Sequence, residues 1–147
     1  MKRVVVGRGE DRDSVVHNEE VLSWGDTLGA IRGIDLWLSH SSPPSLDVAH
    51  DSTGEGTSEL EPPRGGSVFR IVEFAPKAES DVHATETLDY VVVVEGEIVL
   101  VVDGRELTLS AGDSAVQAGS VHQWVNRSDR PCLLAAVLLS GRRAENP

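Results

Sequence analysis

One cysteine stands in 147 residues, Cys132, so no disulfide framework can form within the chain. It follows Arg130-Pro131 and opens the apolar run CLLAAVLL, which reads as a buried structural thiol and suits a reducing cytoplasm. No apolar stretch approaches the ~20 residues of a membrane-spanning helix. The opening MKRVVVGRGEDRD turns acidic before the apolar core of a secretory signal forms, so no such signal is expected. Basic residues are few, 13 against 24 acidic ones, for a formal net charge of −11. Nucleic acid and anionic membrane surfaces both reward Lys and Arg, and neither is expected as a partner. A chain this long is expected to form one domain with a real core.

What is present is β-forming sequence cut by turn residues. Residues 3–7 and 14–17 read as short strands with the charged segment 8–13 as a turn between them, although RVVV has no evident local hairpin partner. Residues 19–32 have irregular apolar spacing and two glycines, which leaves their state open. Gly33–Ser39 alternates Ile34, Leu36 and Leu38 against Asp35, Trp37 and Ser39, the period of a half-buried strand. Residues 45–66 are polar, acidic and broken by Gly and Pro, hence a long loop. Within it His50 lies beside Asp47 and Asp51, and a solvated acidic loop explains these better than a metal cluster. His17 and His40 are lone, and neither is read as a ligand.

Ser67–Ala75 is a further strand, ended by Pro76. From His83 to Asn126 runs a meander of YVVVV, IVLVV and ELTL, parted by Glu95-Gly96-Glu97 and Asp103-Gly104. Asp-Gly between β-branched runs is a strong hairpin signal, because a type I′ turn needs positive φ at both central residues. A polar turn at 127–130 and a buried strand at 132–139 follow, and the tail GRRAENP is expected to fray. Short strands without βαβ alternation mean an all-β sandwich or barrel. If residues 83–89 are extended, His83, Thr85, Thr87 and Asp89 share one face, continued by Val91 and Val93, with Glu86 opposite. His122 and Trp124 likewise share a face. Two imidazoles and a carboxylate match a 2-His-1-carboxylate metal triad, while both histidines could equally be hydrogen-bonded pocket residues without an ion.

At this point the sequence resembles the cupins, small jelly-roll barrels. In their first motif, Gly-x5-His-x-His followed by Glu and Gly, His83 stands at the first His, Asp89 at the Glu and Gly96 at the closing Gly. Thr85 occupies the second His position and Lys77 the opening Gly. In their second motif, Gly112, Gly119, His122 and Asn126 keep the family's order, and Gln117 stands where the family has Pro. The resemblance covers about residues 67–140 and implies an all-β double-stranded β-helix with an N-terminal strand extension. The expected organisation is an extension at 1–66 packed on the same domain, a barrel at 67–141 and a tail at 142–147.

Cupins typically hold a divalent transition metal (Fe, Mn, Zn or Ni) on three His and one Glu. The resemblance thus implies a metal on His83, Asp89 and His122, with His83 and His122 as catalytic groups. Thr85, Val91, Val93, Gln117 and Trp124 are the expected pocket lining. The implied function is a cytoplasmic enzyme acting on a small organic acid, ketone or phenolic compound as a dioxygenase, decarboxylase or isomerase. A metal-free acid–base dehydratase or cyclase and a non-catalytic small-molecule binder are the alternatives. A homodimer is expected, through pairing of the unpartnered RVVV run and cover of exposed strand edges.

Overall fold

The computed structural model describes residues 1–11, 13–24, 29–46, 48 and 60–142. His50, Asp47, Asp51, most of the acidic loop and the end of the tail lie outside them. Among the described residues there are strands and no helix: β1 (Lys2–Arg8), β2 (Ser14–Val21), β3 (Ile31–Ser39), β4 (Ser67–Phe74), β5 (Thr87–Glu95), β6 (Glu97–Val102), β7 (Arg105–Ser110), β8 (Ser114–Ala118), β9 (Gln123–Val125) and β10 (Cys132–Ser140). The all-β jelly-roll barrel expected from the sequence is what forms.

Two antiparallel sheets make the barrel, one of five strands in the order β3-β4-β10-β5-β8 and one of three in the order β7-β6-β9. The apolar run CLLAAVLL becomes β10, the central strand of the larger sheet, paired with β4 on one side and β5 on the other. Its alternate residues Cys132, Leu134, Ala136 and Leu138 are buried, as are Val91 and Val93 of β5 and Val68 of β4. Ile98, Leu100 and Trp124 close the core from the smaller sheet.

Turn chemistry accounts for the corners. Asp103 and Gly104 carry φ of 50° and 73°, the two positive values a type I′ turn demands, and they join β6 to β7. Gly96, at φ 83°, has another task. The run read as one meander is divided here, because β5 and β6 lie in different sheets and do not pair. A Cβ at Gly96 would stand 2.6 Å from the Pro131 carbonyl oxygen, so the corner has room only for glycine.

Two expectations need correction. RVVV does have a local partner: β1 pairs with β2 as an antiparallel hairpin, Lys2 opposite Val21 through Arg8 opposite Ser14, with one bulge at Val5/Val6. The sequence signal was missed because the connection is a charged turn without an Asn-Gly or Asp-Gly pair. In β3 the strict alternation of Ile34, Leu36 and Leu38 is interrupted by a bulge between Asp35 and Trp37. The extra residue is Leu36, and its carbonyl accepts a 2.8 Å hydrogen bond from Arg3 Nη1, which ties the hairpin to the barrel. Strand β3 lies within the segment read as an extension, yet it is the edge strand of the five-stranded sheet.

Candidate functional site

Segment 76–86 leaves β4 and returns along the inner end of β9. Ser80 exchanges backbone and side chain with Trp124: its N–H donates to the Trp124 carbonyl at 2.9 Å, and its Oγ accepts from the Trp124 N–H at 3.0 Å. Three residues on, His83 and His122 form an isolated antiparallel bridge with N–H to carbonyl distances of 3.0 and 2.9 Å. Backbone pairing thus places the two imidazoles side by side, ring centroids 4.4 Å apart and planes tilted by 58°. Trp124 stands edge-on to His122, with centroids 6.3 Å apart.

Each imidazole is oriented from behind. His83 Nδ1 lies 2.8 Å from the Asp81 carbonyl oxygen, and His122 Nδ1 lies 2.9 Å from that of Ser120. A carbonyl oxygen only accepts, so Nδ1 carries a proton in both rings, and whenever a ring is neutral its Nε2 keeps the lone pair. Burial holds the His122 pKa below its ordinary value, helped by neighbouring His83. The Ser120 hydrogen bond and Asp89 oppose this shift without reversing it. His122 is therefore neutral at pH 7.

The expected inward face is observed. Thr85, Thr87 and Asp89 are buried and Glu86 is exposed. The Thr85 and Thr87 hydroxyls are hydrogen-bonded to each other at 2.7 Å, so Thr85 is engaged within the wall. Asp89 Oδ1 is buried without a hydrogen-bond partner. Burial raises the Asp89 pKa, while the Thr87 hydrogen bond, His122 and His83 pull it down and Glu61 adds to the rise. Across the sheet Asp89 faces Gln117 in register, and Gln117 Nε2 is likewise buried and unpartnered.

These groups line a cavity of about 1050 Å³, a volume suited to a sizeable organic molecule. His83, Thr85, Asp89, Val91, Gln117, His122 and Trp124 all contribute to its wall. Val93, expected among them, is instead closed into the core next to Leu134, one strand pair deeper. Sequence reading missed other parts of the lining. Phe74, Leu134 and Ala136 extend the apolar wall, and Arg3, Asn18 and Glu20 of the hairpin reach its far side. Arg70 also lines it, in an ion pair with Asp35 at 2.9 Å. Alternation in β4 and β10 pointed to the apolar wall; nothing in the sequence placed the hairpin beside it.

The donor types fit a divalent transition metal: two imidazole nitrogens and an orphaned carboxylate oxygen are groups such an ion satisfies. Among the described residues, however, no three His, Cys, Asp or Glu side chains are gathered as a metal cluster. Asn126, the last motif residue, takes no part in the cavity. It is fully buried, and its Nδ2 lies 3.1, 3.1 and 2.8 Å from the carbonyls of Phe74, Ala75 and Arg130.

A jelly-roll whose inner wall carries two oriented histidines and a largely apolar chamber is a β-barrel with room for a small molecule. Residues 70–138 match the family described as a cupin domain, and this part of the chain is a cupin barrel. It is 33% identical over 130 residues to the cupin-domain-containing oxidoreductase fogC of Aspergillus ruber, covering 84% of this chain and 63% of that protein. It is 55% identical over 65 residues to phomopsin biosynthesis cluster protein C' of Diaporthe leptostromiformis, covering 44% of this chain and 34% of that protein. The chain thus spans between about one third and two thirds of these relatives' length. Among solved structures it is similar to a sugar phosphate isomerase from a cupin superfamily from Silicibacter pomeroyi. That match has a TM-score of 0.51 and 26% identity over 75% of this chain and 59% of the other.

Proposed function

We propose that the cavity is the active site of a small-molecule metabolic enzyme acting on an organic acid, ketone or phenolic compound. Dioxygenation, decarboxylation and isomerisation are the reaction types in view. One observation carries the proposal: His83 and His122, locked side by side by their backbones, keep Nε2 free at the wall of a largely apolar chamber. Neutral at pH 7, His122 is ready to take a proton at Nε2 from a bound substrate and to return that same proton to another atom of it. Trp124, Phe74 and Val91 exclude water and strengthen each polar contact made among them. A divalent metal held by His83, Asp89 and His122 would supply Lewis acidity or redox chemistry. The oxidoreductase and biosynthesis-cluster descriptions of the relatives agree with such a role. The lone buried Cys132 suits the cytoplasm as the working compartment.

A second reading, a metal-free acid–base dehydratase or cyclase, is favoured by the absence of a gathered three-donor cluster among the described residues. Elemental analysis of untagged protein, with turnover assays before and after chelation, separates the two. The expected result is activity lost on chelation and restored by Fe, Mn, Zn or Ni, with His122→Ala abolishing both metal retention and turnover. Activity that survives chelation but not His122→Ala establishes the metal-free reading. Ligand binding with turnover in neither state would mean a non-catalytic binder.

A further inference from the structure

Gln117 has no task in that chemistry. It lies on β8 opposite Asp89, is 5% exposed, and presents to the cavity wall an Nε2 with no hydrogen-bond partner. A buried amide hydrogen without an acceptor is destabilising. The surrounding wall does not relieve it. Thr85 is engaged with Thr87, Val91 and Leu138 are apolar, and Asp89 Oδ1, although opposite in register, remains unpartnered itself. An amide N–H cannot ligate a cation, so a metal on the neighbouring carboxylate would leave Gln117 as it is.

The unmade bonds at this end of the cavity divide unevenly. Asp89 Oδ1 and the Nε2 atoms of His83 and His122 all accept, whereas Gln117 Nε2 donates. In the metal-free protein a ligand here brings an acceptor for Gln117 and, with the single hydrogen of a hydroxyl, a donor for one of the other three. The carboxyl of Asp89 stands opposite Gln117 in register, which disfavours a second carboxylate as the acceptor. A neutral carbonyl is the acceptor that remains. We propose that Gln117 is a specificity-determining residue that donates to the carbonyl oxygen of a neutral hydroxy-carbonyl ligand, whose hydroxyl faces Asp89 and the histidine pair. The apolar lining of Phe74, Val72 and Leu134 accommodates the ligand's carbon skeleton. The assignment rests on the cavity being a small-molecule site, as proposed above.

Two probes of one skeleton test it: 3-hydroxyacetophenone, and 3-ethylphenol, which lacks only the carbonyl oxygen. Titration calorimetry or ligand-observed NMR on the full chain should show the ketone binding about tenfold more tightly, since a site built to bond a group rejects the analogue without it. Gln117→Met, of similar shape without a donor, should erase that preference while leaving 3-ethylphenol binding unchanged. Gln117→Leu, which also lacks a donor, should do the same and serves if the Met variant does not fold. Equal binding of the two probes by the wild type, binding of neither, or a preference that survives both substitutions overturns the assignment. Because binding alone is read, the outcome is independent of turnover. A Gln117-dependent preference in a protein without activity would sink the enzymatic reading only, and His122-dependent turnover with no such preference would sink this one only.

Discussion

His83 and His122 are joined by two backbone hydrogen bonds, each residue donating to the other's carbonyl, although they stand 39 positions apart in the sequence. The spacing of the imidazoles is therefore a property of the sheet rather than of any bound ion. A ligand or metal entering here would meet nitrogen donors already in place.

Asp89 makes the stability of the metal-free protein depend on pH in an unusual sense. Its folded pKa is raised above 3.8 by burial, so between that value and the folded one the unfolded chain releases a proton that the native state keeps. Stability falls as pH rises through that window, and the loss is complete above it. Asp89→Asn should therefore raise the Tm of chelated protein at neutral pH and change it little near about pH 3. His122 acts in the opposite direction: its folded pKa lies below 6.5, so acidification through 6.5 favours the unfolded chain. Thermal melts of both proteins across the pH range check the pair of signs. A lower Tm for Asp89→Asn at neutral pH would show that the carboxylate is satisfied in the fold.

Asn126→Ala should destabilise the barrel without touching the cavity. The side chain caps the carbonyls of Phe74, Ala75 and Arg130, and its Oδ1 accepts from the Ser128 N–H and hydroxyl at 3.0 and 2.8 Å. Stranding several buried groups costs about 3 kcal/mol. Denaturant unfolding measures the loss, and a change below about 1 kcal/mol would mean that water replaces the amide.

Assembly is the third expectation. The original ground for a homodimer, an unpaired RVVV run, is gone, because β2 pairs it. Another ground replaces it. Tyr90, Val92 and Val94 stand outward on β5 with 46%, 43% and 50% exposure, and Val116, opposite Tyr90 on β8, is 70% exposed. We propose that two copies bury this strip against each other. Sedimentation should give twice the chain mass, and Val116→Glu should return the monomer with its cavity intact. A wild-type monomer at micromolar concentration rejects the dimer.

Much of the barrel was legible because its signals are local. Asp103-Gly104 specifies its own turn, and alternation from Thr85 to Val91 specifies one face. The approach of His83 to His122 was legible only through the motif order, since periodicity within either segment says nothing of the other. The rest depends on contacts distant in sequence. Nothing near Leu36 announces a bulge whose carbonyl meets Arg3, and nothing near Arg3 announces that it lines a cavity. Val93 shows the limit of parity, which gives a residue's face but not where along that face the chamber ends.

Cys132 is the chain's one sulfhydryl, fully buried, with a pKa pushed up to about 11 by its surroundings. A molecule whose native thiol is inert to alkylation is already prepared for spectroscopy. A cysteine placed at exposed Val121, beside His122, would be the one position to react with a spin label or fluorophore. The signal from that label would report occupancy of the neighbouring chamber without any background to remove.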